Sequence, residues 1–105
     1  MSTKQMPAVI ASARRSHRNA LLAATDAVRA FAMKSERQRE LSFGMLLLLG
    51  EIAGDTDGDD TLDVMEEFEA IYFAQLRKTD EGCVVGAAVN RLEIEAKVLN
   101  KLVRG

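Results

Sequence analysis

The chain predicts an all-α fold, a compact bundle of about four helices with short connections, and three observations lead there. Apolar residues recur at spacings of three and four over most of the length, the single Pro stands at position 7, and the seven Gly fall mainly near the proposed helix ends. Uninterrupted stretches of that periodicity form helices with one apolar stripe each, and each stripe needs a partner to leave water. The 105 residues fit a single α-helical domain, 1–105, with one core. With 48% hydrophobic and 29% charged residues, the composition is that of a globular chain rather than a disordered one.

The first helix starts at Pro7, whose missing N–H costs nothing in a first turn, and runs to about Met33. Ile10, Ala13, His17, Ala20, Leu21, Ala24, Val28 and Phe31 share one face of it, and the small Ala positions admit a close neighbour. Ser35 is placed to cap a second helix. The apolar residues of that helix, Leu41, Phe43, Met45 to Leu49 and Ile52, extend almost round the cylinder until Gly50 and Gly54 weaken it. Such a helix is central or lies at a dimer interface. Five consecutive apolar residues from Met45 cannot all turn inward, which makes Leu46 and Leu48 candidate partner contacts.

Asp60 or Thr61 is expected to accept from the free N–H groups of a third helix, with Asp63, Glu66 and Glu67 suited to the positive end of its dipole. Leu62, Met65, Phe68, Tyr72 and Leu76 form its inner stripe. Thr79 or Asp80 then opens the fourth helix, which Gly105 ends. Val85, Val89, Leu92, Ala96, Leu99 and Val103 make a coiled-coil-like seam there, which suits packing against a second copy.

Acidic residues 55 to 66, between the second and third helices, carry the only spacing that suggests specific chemistry. A calcium loop of 12 residues supplies oxygens from positions 1, 3, 5, 7, 9 and 12. Those places hold Asp55, Asp57, Asp59, the Thr61 carbonyl, Asp63 and Glu66, so the segment resembles an EF-hand loop. It departs at Asp60, where the sharp turn takes Gly, at Gly54 before the loop, and at Glu67 after it. The bland alternative is a solvated acidic turn with a helix cap. Calcium is the one cofactor this pattern raises, and otherwise none is expected.

The charges divide unevenly. Residues 1–50 hold eight Lys or Arg and three Asp or Glu, for plus 5, and residues 51–105 hold six against thirteen, for minus 7. A basic first helix lying against an acidic third would explain this within one molecule. The other explanation is that one pole docks a partner, with Glu66, Glu67 and Glu69 as its acidic contacts. The basic set has no interleaved aromatics and the whole chain carries minus 2, so nucleic acid is not expected as a partner.

The remaining reactive residues are dispersed. His17, the only histidine, falls on an apolar stripe and reads as a hydrogen-bonded core residue, because it has no second His or nearby Cys to form a zinc site. Cys83 stands in a first helical turn, but Val84 and Val85 beside it suggest burial. Gly82 and Gly86 read as close helix contacts. With one His, one Tyr and one Cys on separate helices, no nucleophile and base lie at a readable spacing, and an enzyme is not expected.

One cysteine leaves no internal disulfide, and no charged start followed by an apolar signal precedes the first helix, so a cytoplasmic location is expected. The opening segment, with Lys4, Arg14, Arg15 and Arg18 before the first acidic residue Asp26, shares the composition of transit peptides but runs unbroken into the first helix. Met45 to Leu49 falls far short of the roughly 20 apolar residues of a membrane span, so no membrane partner is expected. The leading expectation is therefore a non-enzymatic helical protein-protein interaction or regulatory protein that self-associates as a homodimer. The alternatives are a calcium-responsive module and an acidic inhibitor of the mobile-element type that occupies a nucleic-acid-binding cleft of its target.

Overall fold

In a computed structural model residues 6–105 are described, and among them the chain forms α1 (Met6–Ala32), α2 (Glu36–Glu51), α3 (Asp59–Leu76) and α4 (Asp80–Arg104). Lys4, and with it part of the targeting reading, lies outside the described residues. The N-caps of α2 and α4 use local side chains. The Ser35 hydroxyl accepts from the Gln38 amide at 3.1 Å and the Thr79 hydroxyl from the Gly82 amide at 2.9 Å, as their positions predict.

α1 packs on α2 and α4, and α3 packs on α2 and α4, so the helices occupy four corners in chain order with α1 and α3 on one diagonal. Connections of three, seven and three residues reverse the chain at each corner, which gives an up-down-up-down bundle 52 Å long and 20 Å across. Among the described residues, no helix is long and apolar enough to cross a membrane.

The core follows from the stripes. Ala24, Val28 and Phe31 of α1, Met45 and Leu49 of α2 with Ile52 just after it, and Met65, Phe68 and Leu76 of α3 are buried against Val85, Val89 and Leu92 of α4. Burying a side chain of this size stabilises the fold by about 1.5–3 kcal/mol. Gly82 lets α4 start tightly against α3, since a Cβ there would collide with the Leu76 carbonyl. Gly86, by contrast, faces open space. Gly44 makes room for the Tyr72 hydroxyl in the same way, which brings α2 close to α3.

Several expectations need correcting. The α4 seam from Val85 to Leu99 is fully buried inside one molecule, so it is not free for a second copy. Leu48 is buried and Leu46 half-buried; the outward residue of the run is Leu47, joined by Phe43 one turn earlier. Core-facing positions on α2 are Ser42, Met45, Leu48 and Leu49, and helical periodicity leaves Phe43 and Leu47 on the opposite face. Cys83 is exposed despite its valine neighbours, because it turns away from the Val85 side of α4. Finally, α1 and α3 stand across the diagonal rather than side by side, so a basic helix lying along an acidic one does not explain the charge division.

Candidate functional site

One pole of the bundle gathers the early part of α1, the connection 52–58 and the last turns of α4 around the acidic segment. The connection contains the one left-handed residue between helices, Gly58 at φ +86°, where a Cβ would lie 2.5 Å from the Ala96 carbonyl oxygen. Glycine is therefore required twice at this position, for its backbone angle and for the close approach of α4.

Asp55 organises the segment. Its Oδ1 accepts from the amides of Asp57 at 3.2 Å and Gly58 at 3.0 Å, while Oδ2 accepts from the Thr61 amide at 2.8 Å and the Thr61 hydroxyl at 2.6 Å. Four donors thus converge on one carboxylate, two of them from the Thr61 turn at the start of α3. The expected cap, Asp60 or Thr61 itself, is replaced by a residue further back in the chain. Burial pushes the Asp55 carboxyl up, but the hydrogen bonds from Thr61, Asp57 and Gly58 outweigh it and hold the group below its ordinary value.

Thr61 is fully buried, and its single hydroxyl proton goes to Asp55. The 2.7 Å contact between His17 Nε2 and Thr61 Oγ1 then runs from the imidazole N–H to the hydroxyl oxygen. A chain of donors, His17 to Thr61 to Asp55, ties α1 to α3 across the diagonal. His17 is 3% exposed, and burial lowers its pKa, opposed by the carboxylates of Asp55 and Glu95. This is the hydrogen-bonded core histidine that the sequence suggests.

α1 and α4 also grip the segment from outside. Arg14 Nε donates to the Thr56 carbonyl at 2.9 Å, and Asn100 Nδ2 donates to the Asp57 carbonyl at 3.0 Å and to Asp59 Oδ1 at 2.6 Å. Arg104 pairs with Asp59 Oδ2. Asp57 Oδ1 in turn accepts from the Asp59 amide at 3.0 Å. Arg14, Asn100 and Arg104 each stand more than forty residues from the residues they hold, and no local pattern announces them.

The arrangement bears directly on the six candidate calcium ligands. α3 begins at Asp59, the fifth place of the supposed loop, so Thr61, Asp63 and Glu66 follow a helical path rather than curving round a cation. Asp63 and Glu66 are exposed on the outside of α3 while Thr61 faces the core. The left-handed turn falls at Gly58, the fourth place, not the sixth. Among the described residues no group of three or more His, Cys, Asp or Glu is gathered to hold a metal. Ligation through Asp55 would require it to release its four donors.

The acidic partner candidates divide as well. Glu66 and Glu67 are exposed, but Glu69 is half-buried and faces α4, where burial, then the neighbouring Glu93 carboxylate and Glu66, raise its pKa against the opposing Lys97. Elsewhere, an apolar groove of about 360 Å³ runs between the end of α3 and the start of α4, lined by Phe73, Leu76, Cys83, Gly86 and Asn90 among others. On α2 the exposed apolar pair is Phe43 and Leu47, where the sequence pointed to Leu46 and Leu48. No family model, no curated protein and no solved structure matches the chain.

Proposed function

We propose that this chain is a non-enzymatic helical interaction protein that pairs with a second copy through the outer face of α2. The observation that carries the reading is Phe43 and Leu47, 62% and 73% exposed, one helical turn apart on the face directed away from the core. Gly50 follows on that face with open space above it, so a partner helix approaches closely there. Two copies would bury four such side chains, each contributing about 1.5–3 kcal/mol, against an association cost of about 4–15 kcal/mol. Pairing is therefore weak and adjustable, as suits a regulatory contact.

The dispersal of reactive groups supports the non-enzymatic part of the reading. His17 is committed to Thr61, the Tyr72 hydroxyl rests against Gly44, and Cys83 stands near the opposite pole. Sedimentation at about 100 μM protein in 0.5 M salt tests the pairing. A monomer–dimer equilibrium is expected, and Phe43→Ser with Leu47→Ser should leave only monomer. A wild-type chain that is monomeric under these conditions contradicts the proposal.

A further inference from the structure

The charges on the outer edges of α1 and α3 have a different status from those at the polar segment. Arg15, Arg18 and Arg29 are exposed on α1, and Asp63, Glu66 and Glu67 are exposed on α3. The ion pairs among the described residues are Lys34–Glu81, Arg91–Glu95, Lys97–Glu93 and Arg104–Asp59, and none of the six takes part in them. Because α1 and α3 occupy opposite corners, the two ridges point away from each other on opposite edges of the molecule. Neither neutralises the other within one copy.

The order of residues along the two ridges is complementary. Along the outside of α1 come Arg15, Leu22 and Asp26; along the outside of α3 come Glu66 and Ala70 with Ala74, followed just past its end by Arg77. The spacing of eleven residues from Arg15 to Asp26 equals that from Glu66 to Arg77, about 16 Å along each axis. Laid side by side in the same direction, the ridges set Arg15 against Glu66 and Asp26 against Arg77, with Leu22 between the two alanines. Laid in opposite directions they set Arg15 against Arg77 and Asp26 against Glu66, which is repulsive at both ends.

In the up-down-up-down bundle α1 and α3 run the same way. A neighbouring copy therefore presents its α3 ridge correctly after a sideways and axial shift, without turning over. We infer that copies of this chain associate head to tail, the basic ridge of α1 on one copy against the acidic ridge of α3 on the next. Such a contact is heterologous, so every added copy leaves one basic and one acidic edge free and the row stays open. It uses surfaces apart from Phe43 and Leu47 and stands independently of pairing through α2.

Sedimentation velocity as a function of salt tests this on the full chain. At about 20 mM salt the weight-average mass should rise with concentration beyond that of a dimer, and at 0.5 M salt it should fall back, since exposed charge contacts are screened. Arg15→Glu with Arg18→Glu makes both edges acidic, and Glu66→Lys with Glu67→Lys makes both edges basic. Each doubly substituted chain alone should lose the salt-sensitive association while keeping the wild-type melting temperature within a few degrees. Mixed in equal amounts, the two should associate again, each edge now finding its opposite.

A wild-type chain that stays monomeric or strictly dimeric at low salt overturns the inference, and so does a mixture that fails to associate. Pairing through α2 is distinguished by persisting at 0.5 M salt and by its loss in Phe43→Ser with Leu47→Ser.

Discussion

Two neighbouring stretches of this chain are equally rich in carboxylates and behave in opposite ways. At residues 55–59 the side chains of Asp55, Asp57 and Asp59 accept from backbone amides or from Thr61, Asn100 and Arg104. At residues 63–67 the side chains of Asp63, Glu66 and Glu67 face solvent. The first set fastens α1, α3 and α4 together at one pole; the second set leaves charge on an outer edge. Acidity in the sequence marks both, but only the fold separates a carboxylate that holds the chain from one available to a partner.

The largest expected effect from breaking this contrast is at Asp55. Asp55→Ala strips acceptors from three amides and a buried hydroxyl, and should cost about 2–4 kcal/mol in urea unfolding. Glu66→Gln, one of the free set, should stay within about 0.5 kcal/mol of wild type. Next comes Gly58→Ala, where a positive φ and the Ala96 carbonyl both oppose a Cβ; a loss of about 1–3 kcal/mol is expected.

A smaller effect appears in the pH dependence. His17 binds its proton less readily in the fold than its ordinary value of 6.5 implies, so the unfolded chain takes up the extra proton first. Stability should therefore fall as pH drops below about 6.5, and His17→Gln should flatten that slope. Asp55 is depressed from 3.8, so its contribution is present above that pH and lost on further acidification through its lower folded value. The smallest effect is at Glu69, whose raised pKa reflects burial and the Glu93 carboxylate. Glu69→Gln should stabilise slightly at pH 7, by no more than about 0.5 kcal/mol in thermal unfolding.

The helices were legible because periodicity is a local property. Val85, Val89, Leu92, Ala96 and Leu99 form one buried row, and Ser35 and Thr79 cap where their side chains predict. Direction round a helix was less legible when apolar residues filled it. The Met45 to Leu49 run implied an outward residue, but a fixed core direction was needed to assign it to Leu47 rather than Leu46 or Leu48.

The polar pole was the least legible part. Its spacing resembled a cation loop because Asp-rich loops and Asp-capped turns use the same side chains for opposite purposes, either to surround an ion or to receive amides. What favours amide capture here is the early start of α3 at Asp59 and the grip of Arg14, His17, Asn100 and Arg104, all brought in by tertiary packing.

The Thr61 amide offers the most direct test of that distinction. An amide in the first turn of a helix has no carbonyl partner within the helix and ordinarily exchanges quickly. Here Asp55 Oδ2 holds it at 2.8 Å beside a fully buried side chain. Hydrogen exchange followed by NMR should find the Thr61 amide strongly protected in the wild type, equally protected in millimolar calcium, and exposed in Asp55→Ala under conditions where α4 remains protected. Fast exchange in the wild type that slows only when calcium is added would contradict the structural role of Asp55 and return the segment to cation binding.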